Sequence, residues 1–457
     1  MKKLLLAAAL LSLPSTIAAQ ANVERLRDAA LKDDLAFDMI EDLTTEVGPR
    51  PAGTPAEARA RQWAAERLRA LGFQNVRIED YQMPTWVRGV EKAEIIAPFP
   101  QPLVITALGN SGATPAQGVT AEVVGFDSVA ALEAAPDAAI RGKIVFITHR
   151  MMRGQDGLHY GQFGAPRRAG PTVASRKGAA AIVIRSIGTD YHRNPHTGVQ
   201  NFAEGVAPIP AGALSIPDAE QLERILERAG NRPVTMHLTM TPRQIGMQPS
   251  GNVVAEVPGT DPNAGIILIG GHLDSWDLGT GAFDNASGVA ITTAAAKRIM
   301  DAGRPRRTIR VVLFGAEEVG LFGSNAYYER HKDENIVMVA ESDFGADRIW
   351  RMRTRFAEPA RAIGVRVADL LAPLGIAVAP GDAGGGPDTG IWVRNGRAAI
   401  DLSQDGIRYF DYHHTPDDTL DKIDQEQLRQ NVAAWTTMLA TVANAPEEIG
   451  RVAAAGQ

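Results

Sequence analysis

The chain of 457 residues contains no cysteine. It can therefore form no disulfide bond, and its stability must come from its core and from any metal that it binds. The same absence removes thiolates from the possible metal ligands. A bound metal would have to be held by histidine, aspartate and glutamate, a ligand set that suits zinc, manganese or cobalt better than an iron–sulfur cluster or Cu(I).

Long basic runs and long apolar runs are also missing. The formal net charge of -6, with no basic stretch, argues against general nucleic-acid binding. After the N-terminus, no segment is apolar over the length needed to span a bilayer. The share of hydrophobic residues, 45%, is ordinary for a soluble globular protein. The length predicts several domains, or one large domain with an insertion.

Residues 1–21 are predicted to be a secretory signal peptide. Lys2 and Lys3 precede an apolar run from Leu4 to Leu13, and small residues follow up to Ala21. A basic start, a short apolar stretch and an A-x-A-like end are typical of such signals. The alternative is an uncleaved membrane anchor, but the run is short and rich in alanine for that role. We expect a protein that is exported to the periplasm or secreted, with no membrane span after cleavage.

The pattern of predicted helices, strands and loops divides the rest of the chain into three segments. Residues 22–100 predict a helix from Val23 to Ile40 and a second helix that Thr54 caps, with Pro55 at its first position. Residues 101–247 contain short strand-like runs between loops rich in glycine and proline. We interpret this segment as an inserted domain with its own small core, which interrupts a main domain that resumes at residues 248–457.

From Gly265 onward, predicted strands and helices alternate. Strands are expected at 266–270, 308–314, 336–340 and 398–402, and helices at 286–302, 323–331, 359–371 and 424–444. Such alternation predicts an α/β fold with a largely parallel sheet covered by helices. Ligands of these sheets collect beyond the carboxyl ends of the strands.

Candidate metal ligands follow these strands. They are His272, Asp274 and Asp284 after the first strand, Glu317 and Glu318 after the second, Asp343 after the third, and His414 in a loop past the fourth. Each position alone is weak evidence, because aspartate and histidine commonly end strands. The complete set is strong evidence, because it would converge on one rim of the sheet.

Two divalent ions about 3.5–4 Å apart need a carboxylate that bridges them. Asp284 is the best candidate, because Asn285 and the small residues around it would allow the backbone to approach closely. Each ion then needs a histidine and another carboxylate. One predicted pair is His272 with Asp343, and the other is Glu318 with His414.

Two acids remain for other roles. Asp274, two residues after His272, can accept the imidazole N–H and fix the orientation of that ring. Glu317, beside the ligand Glu318, is a natural general base for a water molecule that the metals activate. These residues together predict hydrolysis of an amide bond.

The motifs resemble those of the co-catalytic zinc exopeptidases, a family that includes bacterial leucyl aminopeptidases and glutamate carboxypeptidases. The matching motifs are HLDS, FDNASG, AEE, ESD and HHTPDDT, with GPRPAGT near the N-terminus. Within this family, the chain looks most similar to the plasma glutamate carboxypeptidase branch. The segments that carry this likeness are Pro195–Gly198 and Ile209–Ala211, and the similarity extends over roughly residues 35 to 445.

The resemblance implies a mostly parallel, mixed sheet between helices, with a β-rich protease-associated domain as the insertion. It also implies two zinc ions per chain, a peptide substrate and the same ligands and base as above. It favours His414 over His413 as the ligand, because His414 precedes Thr415. A homodimer is suggested by the resemblance alone.

Two alternatives remain open at this point. One is a glutaminyl cyclase, which shares the sheet but typically uses one zinc. The other is a receptor-like homologue that has lost catalysis. The sequence also leaves open which end of a peptide is recognised, since an arginine or lysine would anchor a carboxylate and an acidic pair would anchor an amine.

Overall fold

The structure, a computed structural model, describes residues 20–453. The predicted signal peptide lies almost entirely outside the described residues. Within 20–453, none of the helices combines the length and the apolar character that crossing a membrane requires.

The helices are distributed along the whole described chain. They are α1 (20–30), α2 (Leu35–Glu46), α3 (Pro55–Ala70), α4 (Val129–Ala134), α5 (Leu158–Gln162), α6 (Ala165–Arg168), α7 (Gly170–Arg176), α8 (Ile216–Ala229), α9 (Ser287–Ala302), α10 (Phe322–His331), α11 (Arg361–Leu371), α12 (Gly390–Arg394), α13 (Tyr409–Tyr412) and α14 (Gln425–Asn444). Short 3-10 turns occur at Asp137–Ala139, Ala372–Leu374 and Leu420–Lys422.

The strands form two eight-stranded sheets. In their order across it, the strands of the first sheet are β1 (Gln74–Val87), β10 (Arg243–Val257), β12 (Thr308–Phe314), β11 (Ile266–His272), β13 (Ile336–Glu341), β16 (Ala398–Gln404), β14 (Ile349–Arg355) and β15 (Ala377–Val378). Those of the second are β3 (Gln101–Leu103), β2 (Glu91–Ala97), β9 (Thr235–Met240), β5 (Val119–Phe126), β6 (Ile144–Ile147), β7 (Ala181–Arg185), β8 (Ala211–Leu214) and β4 (Ile105–Ala107).

The centre of the first sheet is parallel and buried on both faces. Strands β12, β11, β13 and β16 run parallel, while β1, β10 and β14 join through antiparallel pairs. Ile267 and Ile269 pack in the core that contains α9 and α14, whereas Leu268 packs on the opposite face with Tyr327 and Trp392. Burial on both faces explains why β11 is a continuous apolar run. The predicted mixed sheet between helices is confirmed.

The second sheet has its own core and comes from one continuous part of the chain. It begins with β2 at Glu91, inside the segment 22–100 of the sequence-based division, and ends with β9 at Met240. The core of this sheet includes Phe146, Val183 and Leu222, all of which are buried. The domain limits 101–247 and the assignment to a protease-associated domain remain predictions.

Two local expectations differ from the structure. The helix predicted from Val23 to Ile40 is interrupted at residues 31–34, where the Asp33 carboxylate accepts the backbone N–H of Leu35 at 2.8 Å and pairs with Arg298. Strand β14 is missing from the predicted elements, although Trp350 and Met352 alternate with Arg351 and Arg353 as expected for a strand. It pairs antiparallel with β16 and extends the sheet.

A buried ion cluster ties β1 to α10 and predicts a pH-dependent stability. The Glu79 carboxylate lies 2.8 Å from His331 Nε2 and 3.0 Å from Arg330, and these partners hold the pKa of Glu79 at about 2, although burial alone would raise it. We expect Glu79→Gln to lower the free energy of unfolding at pH 7 by about 1–2 kcal/mol, allowing for solvent screening.

The pKa of Glu79 in the folded protein lies below its usual value of 4.5. The stabilisation is present above pH 4.5 and is lost as the pH falls toward about 2. In thermal melts at pH 7 and pH 3, the difference in melting temperature between wild type and variant should therefore be smaller at pH 3. Glu329→Gln is the matched control, since Glu329 is exposed and pairs with Lys332. If wild type and Glu79→Gln differ in melting temperature by the same amount at both pH values, the low pKa of Glu79 does not stabilise the fold.

Candidate metal centre

The five predicted ligands meet in one buried space beyond the carboxyl ends of β11, β12 and β13. His272 Nε2 lies 3.1 Å from Asp284 Oδ1 and 3.2 Å from Asp343 Oδ1. His414 Nε2 lies 2.8 Å from Glu318 Oε2 and 3.3 Å from Asp284 Oδ2. Asp284 therefore stands between two groups, each made of one histidine and one carboxylate. This arrangement matches the donor set that two divalent ions need.

The orientation of His272 leaves one ring nitrogen for a metal. Its Nδ1 lies 2.9 Å from the backbone carbonyl of Asp274, so the proton of the neutral ring belongs on Nδ1. The Nε2 atom then faces Asp284 and Asp343 with its lone pair free. This is the usual arrangement of a metal-binding histidine, whose other nitrogen donates to a carbonyl or carboxylate.

His414 is oriented in the same way, but by the loop between β7 and β8. Its Nδ1 lies 3.3 Å from the carbonyl oxygen of Thr197, and the backbone N–H of Thr197 donates to the carbonyl of His414 at 3.0 Å. His414 has φ +59°, in the left-handed region that few residues other than glycine adopt. Backbone conformations of this kind are concentrated at functional sites, where surrounding contacts maintain them.

Asp284 is positioned by the irregular turn Ala282–Ala286 that precedes α9. The Asp418 carboxylate accepts the backbone N–H groups of Phe283 and Asp284 at 2.6 and 3.1 Å, and these hydrogen bonds fix the backbone of the turn. Gly288 allows α9 to approach β13, since a Cβ there would lie 1.9 Å from the Ser342 carbonyl oxygen. In the FDNASG motif, the Asp418 carboxylate thus fixes the backbone of Phe283 and Asp284, and Gly288 allows the close approach to the Ser342 carbonyl.

Two carboxylate oxygens at this centre support the fit of a cation. Asp284 Oδ2 and Glu318 Oε1 are buried, and neither has a hydrogen-bond partner within residues 20–453. A buried charged oxygen without a hydrogen bond is costly, because nearby imidazole rings replace only part of the hydration that it loses. One ligand atom each from His272, Asp284 and Glu318 can be chosen so that all lie within 4.8 Å of one another. These residues fit zinc, which takes imidazole and carboxylate ligands.

The pKa values of the buried residues also indicate that positive charge stabilises this centre. Burial alone would lower the pKa of both His272 and His414, yet Asp343 beside the first and Glu318 beside the second raise each pKa well above its usual range. Burial opposes the charge of Asp284, but the surrounding histidines hold its pKa well below the usual range. Divalent cations provide this compensating charge in buried carboxylate sites.

The two remaining predicted residues lie next to the ligands. The Asp274 carboxylate accepts the backbone N–H groups of Glu317 and Glu318 at 3.1 and 3.3 Å, and is 3.7 Å from His272 Nδ1. The carbonyl of Asp274, rather than its carboxylate, makes the short contact with the His272 ring. Its side chain instead places both glutamates. Burial raises the pKa of Glu317 well above its usual range, and Asp343 adds to this effect.

Two further acids lie beside Asp343. Glu341 accepts the backbone N–H groups of Asp388 and Thr389 at 3.3 and 2.8 Å. Burial raises the pKa of Glu341 to about 8, with Asp343 adding to it, and raises the pKa of Asp388 well above its usual range. Burial therefore disfavours the charged form of both acids.

Arg50 is a structural residue of the site that sequence reasoning did not identify. It is fully buried, and its guanidinium donates to the carbonyl oxygens of Leu273, Thr280 and Gly281 at 2.5, 2.6 and 2.9 Å. These contacts hold the loop that joins His272 to Asp284. The GPRPAGT motif was the only signal for it, and that motif does not reveal a contact more than 200 residues away along the chain.

Comparison with known proteins adds two findings on sequence. The model of peptidase family M28 matches residues 252–439. Carboxypeptidase Q of Bos taurus is 35% identical over 420 residues, which cover 91% of this chain and 87% of that protein.

Solved structures are similar as well. The crystal structure of a peptidase M28 precursor from Shewanella amazonensis SB2B superposes with a TM-score of 0.92 at 45% identity, covering 95% of this chain and 99% of the other. The zinc aminopeptidase BSAP from Bacillus subtilis gives a TM-score of 0.66 at 20% identity, covering 91% and 97%. The latter similarity concerns the fold alone.

Proposed function

This chain belongs to peptidase family M28, as its resemblance to the zinc exopeptidases predicted, and on that premise we propose that it is an exported di-zinc exopeptidase. Its substrates would be dipeptides or short peptides. The observation that supports this most is the meeting of two histidines and two further carboxylates around Asp284, with Asp284 Oδ2 and Glu318 Oε1 buried and without a hydrogen bond among residues 20–453. Export and the protease-associated character of the second sheet belong to the same proposal.

The proposed ligands divide into two sets that share Asp284. His272 and Asp343 would hold one zinc, and His414 and Glu318 the other. Bound zinc would supply Lewis acidity, which lowers the pKa of water and polarises the peptide carbonyl. The protein would supply orientation: the Asp274 and Thr197 carbonyls fix the two histidine rings, and the Asp274 carboxylate places Glu317.

Glu317 is proposed as the general base. Its raised pKa, caused first by burial and increased by Asp343, makes the carboxylate more basic than an exposed glutamate. It would accept a proton from the attacking water and donate that proton to the leaving amine. The same group thus serves first as base and then as acid, and it is ready for another cycle after the products leave.

A panel of dipeptides tests whether the enzyme recognises a chain end. We expect dipeptides with both ends free to be cleaved. Blocking the recognised end should lower kcat/KM by about tenfold to a hundredfold, because a charge-assisted hydrogen bond is worth about 1.5–3 kcal/mol. N-acetyl and C-terminal amide versions of one dipeptide identify the end. Equal cleavage of the free peptide and of a peptide blocked at both ends would contradict an exopeptidase.

A further inference from the structure

The loop between β7 and β8 brings a histidine of the second sheet into the metal centre. His196 is 2% exposed, and its Nε2 lies 2.9 Å from His413 Nδ1. On the other side of that ring, His413 Nε2 lies 3.3 Å from Asp284 Oδ2. The three side chains form a continuous line from the second sheet to the carboxylate that is proposed to bridge the metals.

The surroundings of His196 hold its ring in this place. Its backbone N–H donates to Ser186 Oγ at 2.9 Å. The ring stacks on His414 with the centroids 5.0 Å apart, and the ring of Tyr160 packs edge-on against it at 5.8 Å. The next residue, Thr197, is hydrogen-bonded to the backbone of His414. The loop is therefore fixed on both sides of His196.

The line of contacts has a defined direction. A neutral histidine carries one proton, and the hydrogen bond at one ring nitrogen decides where that proton resides. A carboxylate oxygen can only accept a hydrogen bond, so the His413 Nε2 that faces Asp284 Oδ2 carries the proton, and His413 Nδ1 is left to accept the Nε2–H of His196. An N–H at this position attracts the carboxylate oxygen, which lies 3.3 Å away without a hydrogen bond, and does not compete as a metal ligand.

We propose that His196 is a positioning residue of the metal centre, which fixes the ring and tautomer of His413 and through it the orientation of Asp284. The proposal rests on the proposed function, because it assumes that Asp284 bridges two metals. It makes the second sheet a contributor to metal affinity.

The test is the zinc affinity of three variants, measured by competition with a chromogenic chelator. His196→Phe keeps the ring packing but removes both nitrogens, and we expect zinc to bind about tenfold to a hundredfold more weakly, as for other residues that orient ligands. His196→Gln keeps a donor near the Nε2 position and should recover part of the affinity. His192→Phe is the matched control on the same loop, since the side chain of His192 is 82% exposed, and its affinity should equal that of wild type.

A double-mutant cycle tests the route through His413. Adding His196→Phe to His413→Phe should weaken zinc binding no further, because the intermediate ring is already absent. The proposal is overturned if His196→Phe binds zinc like wild type, or if its effect is the same with and without His413. It is also overturned if wild type binds a third zinc that His196→Phe loses, since His196, His413 and His414 would then be ligands of an additional ion.

The wild-type protein, measured in parallel, separates this proposal from the function on which it rests. Two bound zinc ions and peptide hydrolysis in wild type, with unchanged affinity in His196→Phe, would reject the positioning role alone. Absence of zinc binding in wild type would reject both. Far-UV circular dichroism and a thermal melt of each metal-free variant show whether a loss of affinity reflects unfolding.

Discussion

Exhaustive chelation is expected to abolish peptide hydrolysis, and added zinc or cobalt should restore it. The loss should be about a thousandfold or more, because the Lewis acidity that the metals supply is worth several kcal/mol of transition-state stabilisation. The chain has no cysteine that could provide a nucleophilic thiolate in its place. The buried carboxylates Asp284 and Glu318 would also repel one another once the cations are removed.

The measurement is the initial rate on a dipeptide after dialysis against a strong chelator, with residual metal determined by mass spectrometry. Treatment with chelator already saturated with zinc is the control for non-specific inhibition. Full activity in a sample shown to be free of metal would exclude the proposed function. Reactivation with one zinc per chain, together with cyclisation of an N-terminal glutamine, would favour a glutaminyl cyclase instead.

Replacing Glu317 by glutamine is expected to lower kcat by about 10²–10⁴-fold while zinc binding and the melting temperature stay close to wild type. Glutamine has nearly the same size, and the contact of residue 317 with Asp274 is made by its backbone N–H. The amide, however, cannot accept a proton from water. The expected effect is therefore on turnover rather than on folding or metal content.

Steady-state kinetics, metal analysis and a thermal melt on the same preparation check this expectation. Glu329→Gln, an exposed glutamate away from the site, is the matched control and should behave as wild type. A near-wild-type kcat in Glu317→Gln would remove Glu317 as the base. A loss of zinc would instead assign it a role in metal binding.

Much of the first sheet could be predicted from the sequence because its signals are local. The strand Thr308–Phe314 has the predicted limits, and α9 and α14 begin one residue after theirs. Buried parallel strands are short apolar runs, and the helices between them carry their own periodicity. The polar residues just after β11, β12 and β13 could be identified as site candidates, because parallel strands bring their carboxyl ends to one edge.

The contacts that complete the site could not be predicted, because they join distant segments. The buried guanidinium of Arg50 reaches Leu273, and the carbonyl of Thr197 orients the ring of His414. A single sequence carries no periodic pattern that reports such pairs. For the same reason, the sequence does not show that β2, which lies in the predicted segment 22–100, joins the second sheet.

Diffraction from a crystal of the zinc-loaded protein, recorded on both sides of the zinc absorption edge, tests the metal centre most directly. We predict two anomalous peaks about 3.5–4 Å apart, one on each side of the Asp284 carboxylate. One peak should lie beside His272 and Asp343, and the other beside His414 and Glu318. A single peak, or peaks away from Asp284, would contradict a di-zinc centre bridged by this residue.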